Sequence, residues 1–200
     1  MRLQVHPEHP QPHQIRKAVQ VFERGGVLAY PTDTVYGIGC DLRQKKAIER
    51  IYQIKQLPKT HPLTFLCADL SDIAHYALVD NYAYRIMKHR LPGPYCFVLK
   101  ATKEVPKLLT MKRKTVGIRV PAHPVTQALL REFGAPFVSS SASIDEEMLS
   151  DPADIATRFR GLDMIVDAGE GKQLPSTMID LSQDQATLIR EGAGSIEGLF

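Results

Sequence analysis

Cysteine is scarce in this 200-residue chain: Cys40, Cys67 and Cys96 stand far apart, each among apolar neighbours. An odd, dispersed set of thiols excludes a disulfide framework and a zinc site, and reads as buried free thiols in a reducing compartment. Long apolar runs are missing too. The longest are strand-length, so no membrane span is expected. The N-terminus carries Arg2, His6, Pro7 and Glu8 where a secretory signal would carry an apolar core, and the expected location is the cytoplasm. Neither G-x-x-x-x-G-K-[ST] nor G-x-G-x-x-G occurs, so a bound nucleotide would use neither common glycine-rich loop. The absence of G-x-S-x-G and H-E-x-x-H removes the nucleophile elbow and the zinc-protease helix. His6, His9 and His13 are close in sequence, but the prolines between them spoil helical ligand geometry. His75, His89 and His123 read as surface residues, so no metal site and no catalytic nucleophile is assigned. Strong charge is absent as well. A net charge of +3 permits a patch for phosphate or RNA without demanding one.

What is present is ordinary for one globular domain, taken as residues 1–200: 44% hydrophobic and 24% charged. Leu3-Val5 reads as a short edge strand. His13-Arg24 reads as a helix, because Ile15, Ala18, Val19 and Phe22 recur at helical spacing before Gly25-Gly26. A buried strand Val27-Tyr30 ends at Pro31, and a polar turn leads to a helix Lys45-Gln56, stopped by Pro58. Strand Leu63-Cys67 and a helix from Asn81 to Arg90 follow, then strands Tyr95-Lys100 and Thr115-Val120. A helix Pro124-Phe133, a strand Phe137-Ser140 and a helix from Asp151-Pro152 to about Arg160 come next. The chain ends with strands Met164-Asp167, Thr177-Leu181 and Thr187-Arg190. Strands alternate with helices early and follow one another late, which predicts an α/β fold with a twisted mixed sheet and flanking helices.

Five clusters carry possible chemistry. Thr32-Asp33-Thr34-Val35-Tyr36-Gly37 leaves a buried strand directly, where α/β sheets place ligands, although Thr, Asp and Gly also build plain turns. Lys55, Lys59 and His61 surround Pro58, where a cation can meet phosphate or simply be solvated. Lys112-Arg113-Lys114 leads into a strand in which Arg119 points away from Ile118 and Val120. A charge in so apolar a strand needs a partner, a ligand anion being one candidate. Ser139-Ser140-Ser141-Ala142-Ser143 offers hydroxyls and loop N–H groups for a phosphate nest. Pro175-Ser176-Thr177 and Arg190-Glu191-Gly192 complete the set.

In order and spacing these pieces resemble the YrdC/TsaC family over about residues 13–192. They are Gly25-Gly26, Pro31 to Ile38, Lys55, Pro92-Gly93-Pro94, Thr115 to Pro121, Ser141-Ala142, Ser176-Thr177 and Arg190-Glu191-Gly192. Gln56-Leu57-Pro58, Lys103-Glu104-Val105-Pro106 and Arg113-Lys114-Thr115 are similar to its YciO branch. The resemblance implies a twisted sheet around a large basic cavity. It also implies a reaction in which L-threonine, bicarbonate and ATP with Mg2+ give threonylcarbamoyl-adenylate and pyrophosphate, for threonylcarbamoyladenosine formation in tRNA. Carried over by position, Thr32, Thr34 and Tyr36 would meet threonine. Arg119 would meet its carboxylate or the bicarbonate-derived group, and Ser176 would help fix the amino acid. Lys55, with Lys59 nearby, would hold ATP phosphates, while Thr115, Ser141, Ser143 and Arg190 would line the nucleotide pocket.

Three departures stand against the family's pattern. Lys-x-Arg-Pro reads Lys55-Gln56-Leu57-Pro58, Ser-Ala-Asn reads Ser141-Ala142-Ser143, and a usual His aligns with Leu66. Lys59 and His61 are candidates to compensate for the lost cation. The departures leave two alternatives beside the synthase reading: a non-catalytic or weakly active double-stranded RNA or tRNA binder using Lys112-Lys114, and a same-fold ATP-dependent enzyme for another small substrate.

Overall fold

The computed structural model describes residues 1–109 and 114–199. It opens with β1 (Arg2–Gln4) and α1 (Pro12–Glu23), whose first residue is a proline, a position where the missing N–H costs nothing. β2 (Leu28–Tyr30) and β3 (Gly37–Asp41) form an antiparallel pair across the Pro31–Tyr36 loop. The expected polar turn after Tyr36 is therefore a buried strand. Its Gly-Ile-Gly-Cys alternation hides the pattern, because the small face lies under the Tyr30 ring. A Cβ at Gly37 would come within 2.8 Å of both that ring and Ser139 Oγ.

α2 (Lys45–Ile54) and β4 (Thr64–Leu66) follow, then α3 (Leu70–Tyr76), a seven-residue helix capped by Asp69 that the sequence pattern does not announce. Next come β5 (Ala77–Leu78), α4 (Asn81–Lys88) capped by Asp80, β6 (Tyr95–Ala101), β7 (Thr115–Arg119) and α5 (Pro124–Phe133). β8 (Phe137–Ser141) runs into a small hairpin of β9 (Ser143–Ile144) and β10 (Glu147–Met148). α6 (Pro152–Arg158), β11 (Met164–Asp167), β12 (Thr177–Asp180) and β13 (Thr187–Arg190) complete the chain.

The main sheet runs β1-β11-β2-β3-β8-β4-β7-β6-β12-β13, with β5 beside β6. Parallel pairs such as β4/β7 and β12/β6 sit beside antiparallel ones such as β3/β8 and β6/β7, so the sheet is mixed, as the element order predicts. Two apolar clusters fill it. One gathers Ile15, Val19 and Phe22 of α1 and Val125 and Leu129 of α5 with Leu28, Tyr30 and Phe137. The other, larger, takes Ile48 and Ile51 of α2, Ile73 of α3, Met87 of α4 and Ile155 of α6 with Phe65, Phe97, Ile118 and Ile179. At about 25 cal/mol per Å2 of buried apolar surface, a core of this kind supports the fold without cross-links, and all three cysteines are free and buried. No helix among the described residues is long and apolar enough to cross a membrane.

Candidate functional site

Strand periodicity builds one wall of a cavity of about 1300 Å3. Thr64 and Leu66 of β4, Cys96 and Val98 of β6, Thr115, Gly117 and Arg119 of β7, and Met178 and Asp180 of β12 all line it. The residues between them, Phe65, Phe97, Val116, Ile118 and Ile179, turn into the larger apolar cluster. The period of two thus gives the sheet one packed face and one binding face in this half. The end of α2, the β9–β10 hairpin, Phe159 and Arg158 add to the lining. The cavity is mixed in sign: Lys55, Arg119, Arg158 and Arg190 share it with Asp145, Glu146 and Asp180.

At one end Arg119 is held from two sides. Its Nη2 donates to Asp33 Oδ1 at 2.7 Å and its Nη1 to Thr34 Oγ1 at 3.0 Å, with the residue only 8% exposed. The partner that a buried strand arginine requires is therefore the chain's own Asp33, the one residue of the Thr-Asp-Thr run to which the sequence assigns no role. Thr34 is fully buried behind this wall and meets Arg119 rather than the cavity. The Thr32 hydroxyl closes its own turn, donating to the Val35 carbonyl at 2.6 Å and accepting from the Thr34 N–H. The Tyr36 phenol donates to the Gly169 carbonyl at 2.7 Å, and burial pushes its pKa up to about 12. Thr32 and Tyr36 still line the cavity. The motif shapes the wall and fixes a guanidinium more than it offers free hydroxyls.

At the other end Lys55 caps α2. Gln56 follows at φ 52, the Leu57 N–H bonds the Tyr52 carbonyl at 2.9 Å and the Gln56 N–H bonds the Gln53 carbonyl at 3.1 Å, which together form a Schellman motif. The Lys55 ammonium sits at the negative end of the helix dipole. It donates to Ser140 Oγ at 2.9 Å and to the Ser141 carbonyl, and it pairs with no carboxylate among the described residues. Burial without a counter-charge pushes its pKa down to about 8. Leu57, where the resemblance expects Arg, lines the cavity and packs on the larger cluster, as the C″ residue of such a motif commonly does.

Ser176 and Arg190, expected on different ligands, are joined: Arg190 Nη2 donates to the Ser176 carbonyl at 2.8 Å. Both line the cavity, as do Thr115, Ser141 and Ser143. Lys59 does not. It is exposed, with its ammonium 3.5 Å from Glu49 Oε1, because the turn after Pro58 carries it out to the surface. His61 lines the cavity, but burial and Lys55 push its pKa down, so it adds no positive charge at neutral pH. Neither residue replaces the missing cation. Leu66 joins the smaller cluster, which explains why an apolar residue is tolerated there. Lys112 and Arg113 lie outside the described residues. Sequence reasoning misses Arg158, whose only signal is a basic last turn on α6.

The sequence model of the Sua5/YciO/YrdC family, described as "Telomere recombination", matches residues 20–192. The chain belongs to this family. It is 46% identical to YciO of Escherichia coli (strain K12) over 197 residues, covering 96% of each chain. It is 34% identical to threonylcarbamoyl-AMP synthase of Idiomarina loihiensis over 160 residues, 77% of this chain and 86% of that one. The crystal structure of E. coli YciO superposes with a TM-score of 0.96 at 44% identity, covering 100% of this chain and 99% of that one. Sua5 of P. abyssi, crystallised with L-threonine, gives a TM-score of 0.90 at 30% identity over 96% of this chain and 57% of its own. Within the Sua5/YciO/YrdC family fold, the departures at Leu57, Leu66 and Ser143 thus all fall on the cavity lining.

Proposed function

We propose that the cavity binds ATP at its Lys55 end and an L-threonine-derived carbamate at its Arg119 end, and that the protein is a threonylcarbamoyl-AMP synthase-like nucleotidyltransferase linked to tRNA modification. The observation that carries this reading is that one cavity holds two separate cationic stations, Arg119 fixed by Asp33 and Thr34, and Lys55 paired with no carboxylate among the described residues. The relatives named threonylcarbamoyl-AMP synthase, and the Sua5 crystallised with L-threonine, support the choice of amino acid.

The chemistry asks for positioning and charge neutralisation rather than a protein nucleophile. The threonine amine takes up bicarbonate to give a carbamate and water. A carbamate oxygen attacks the α-phosphorus, the bond to the bridging oxygen breaks, and pyrophosphate leaves. Lys55 neutralises phosphate charge, Ser141 and Ser143 donate to phosphate oxygens, and Arg119 orients a carboxylate. Among the described residues no cluster of three or more ligating side chains is present. Mg2+ enters on the triphosphate, held by phosphate oxygens and water.

Pyrophosphate release from Mg-ATP, with and without threonine and bicarbonate, tests the reading. The expected result is release that requires both. ATP that binds but yields pyrophosphate at the same rate without threonine would overturn it.

A further inference from the structure

We propose, resting on the synthase reading, that Gly117 is the clearance for the reacting junction. The bond formed between the carbamate oxygen and the α-phosphorus lies against the bare backbone of β7 there, and the missing side chain makes the room in which both substrates fit at once. Of the thirteen glycines in the chain, five adopt positive φ and seven more would place a Cβ within 3.0 Å of a protein atom. Gly117 alone has neither reason among the described residues. Its φ lies outside the left-handed region, and a Cβ there would meet only Cys96 Sγ at 3.3 Å and Thr64 Oγ1 at 3.6 Å. Both are side-chain ends of residues that line the open cavity.

Glycine inside a strand weakens it, and marks a bulge, a close backbone or a close ligand. The first two are absent here. β7 pairs with β4 and β6 without a shift of register, and no backbone of another strand comes within 4 Å of the Cβ position. A ligand is left. The Gly117 N–H and C=O lie in the plane of the sheet between β4 and β6, so the residue offers room and not a hydrogen bond.

Its place says which part of the ligand it clears. Thr115, Gly117 and Arg119 alternate along the cavity face of β7, with Gly117 about 7 Å along the strand from each. Thr115 belongs to the nucleotide side of the proposed complex and Arg119 to the carboxylate side. Across the sheet Gly117 pairs with Thr64, and Thr64 with Ser139. The next two residues, Ser140 and Ser141, hold the Lys55 ammonium. The floor that joins the two cationic stations therefore crosses Thr64 and Gly117. A carbamate held at Arg119 and a triphosphate held at Lys55 meet over the position where β7 presents no side chain. Attack needs the entering oxygen, the phosphorus and the leaving oxygen roughly in line, which takes space that neither substrate needs alone.

The probe is an ATP analogue in which a methylene replaces the oxygen bridging the α- and β-phosphorus, so that pyrophosphate cannot leave. L-threonine with bicarbonate is titrated by calorimetry into the whole protein saturated with this analogue and Mg2+, and each ligand is titrated alone. Wild type is expected to bind the two together. Gly117→Ala should bind each alone within about threefold of wild type, but its threonine affinity beside the analogue should fall roughly tenfold or more. With ATP itself, pyrophosphate release should fall about 100-fold, since a methyl group displaces the reacting atoms by an ångström or so. Alanine suits a strand better than glycine, so Tm should hold or rise by about 1–3 °C. Cys96→Ala/Gly117→Ala removes the one tight contact that the new methyl makes with the protein and should remain as impaired. Joint binding and release equal to wild type in Gly117→Ala, or recovery in the double variant, would overturn the clearance role and leave the synthase reading standing. A wild-type protein that does not bind the two ligands together would remove both.

Discussion

The two ends of the cavity treat a buried cation in opposite ways. Arg119 is paired with Asp33 at 2.7 Å and hydrogen-bonded to Thr34, so its charge is compensated before any ligand arrives. Among the described residues Lys55 has only a hydroxyl and a carbonyl as partners, and its ammonium is destabilised by burial. The first arrangement fixes a geometry; the second leaves a charge deficit that an anion would fill. The difference separates orientation from capture. The Arg119 end is rigid scaffold that also carries stability, whereas the Lys55 end costs stability and holds it in reserve for binding.

The comparison breaks most visibly at Asp33. Asp33→Ala would leave Arg119 buried without its counter-charge, which costs about 3–5 kcal/mol when one partner of a buried pair is removed. Urea unfolding measures it, and a loss below about 1 kcal/mol would mean that solvent reaches the pair and that the end is not rigid in the sense argued.

Next in size is Leu57→Arg, which returns a cation to the Lys55 end. A charge-assisted hydrogen bond contributes about 1.5–3 kcal/mol, so ATP affinity by calorimetry should tighten roughly tenfold to a hundredfold. The variant also gives up Leu57's packing on the larger cluster, at about 1 kcal/mol of stability. Unchanged ATP affinity would show that phosphates do not pass this end of α2.

Lys55→Met removes the uncompensated ammonium. The folded pKa, near 8, lies below the ordinary lysine value of 10.5, so the unfolded chain binds more protons between them. Stability therefore rises with pH across about 8 to 10.5 and carries the full penalty below 8. The methionine variant should be more stable at pH 7 by about 1–2 kcal/mol after allowance for partial exposure, and should lose that rise with pH. It should also weaken ATP binding at pH 7. An unaltered pH profile would remove Lys55 as the source of the deficit.

The sheet was largely legible because β-branched and aromatic runs such as Tyr95-Lys100 and Thr115-Val120 carry their own pattern. β3 was not, since Gly37 and Gly39 exist to clear the Tyr30 ring, and that ring's position is tertiary information. The same holds in the site. That Arg119 needs a partner followed from its place in an apolar strand, but the partner lies 86 residues away in sequence. Lys55 lines the cavity, whereas Lys59, four positions on and beyond Pro58, faces Glu49, and the sequence around the two lysines does not distinguish those fates. Hydroxyl-rich loops are the hardest case: Thr32 and Thr34 read as ligand contacts, and the folded chain spends both hydroxyls on itself.

The smallest effect tests how the Lys55 end is held. Gln56 adopts φ 52, a left-handed conformation that costs a residue with a Cβ roughly 1 kcal/mol or more. Gln56→Gly should relieve that strain at the C′ position of the Schellman motif, where glycine is preferred, while adding freedom to the unfolded chain. The expected net gain is about 0.5 kcal/mol, a rise in Tm of about 1–2 °C for a chain of this size. The informative readout is ATP binding in the same variant. If Lys55 is aimed by the cap hydrogen bonds alone, affinity should be unchanged, because the Leu57-to-Tyr52 and Gln56-to-Gln53 bonds survive glycine. A weaker affinity in a more stable protein would mean that the Gln56 side chain itself steadies the end of α2. Capture, like orientation at Arg119, would then depend on a residue that never touches the ligand.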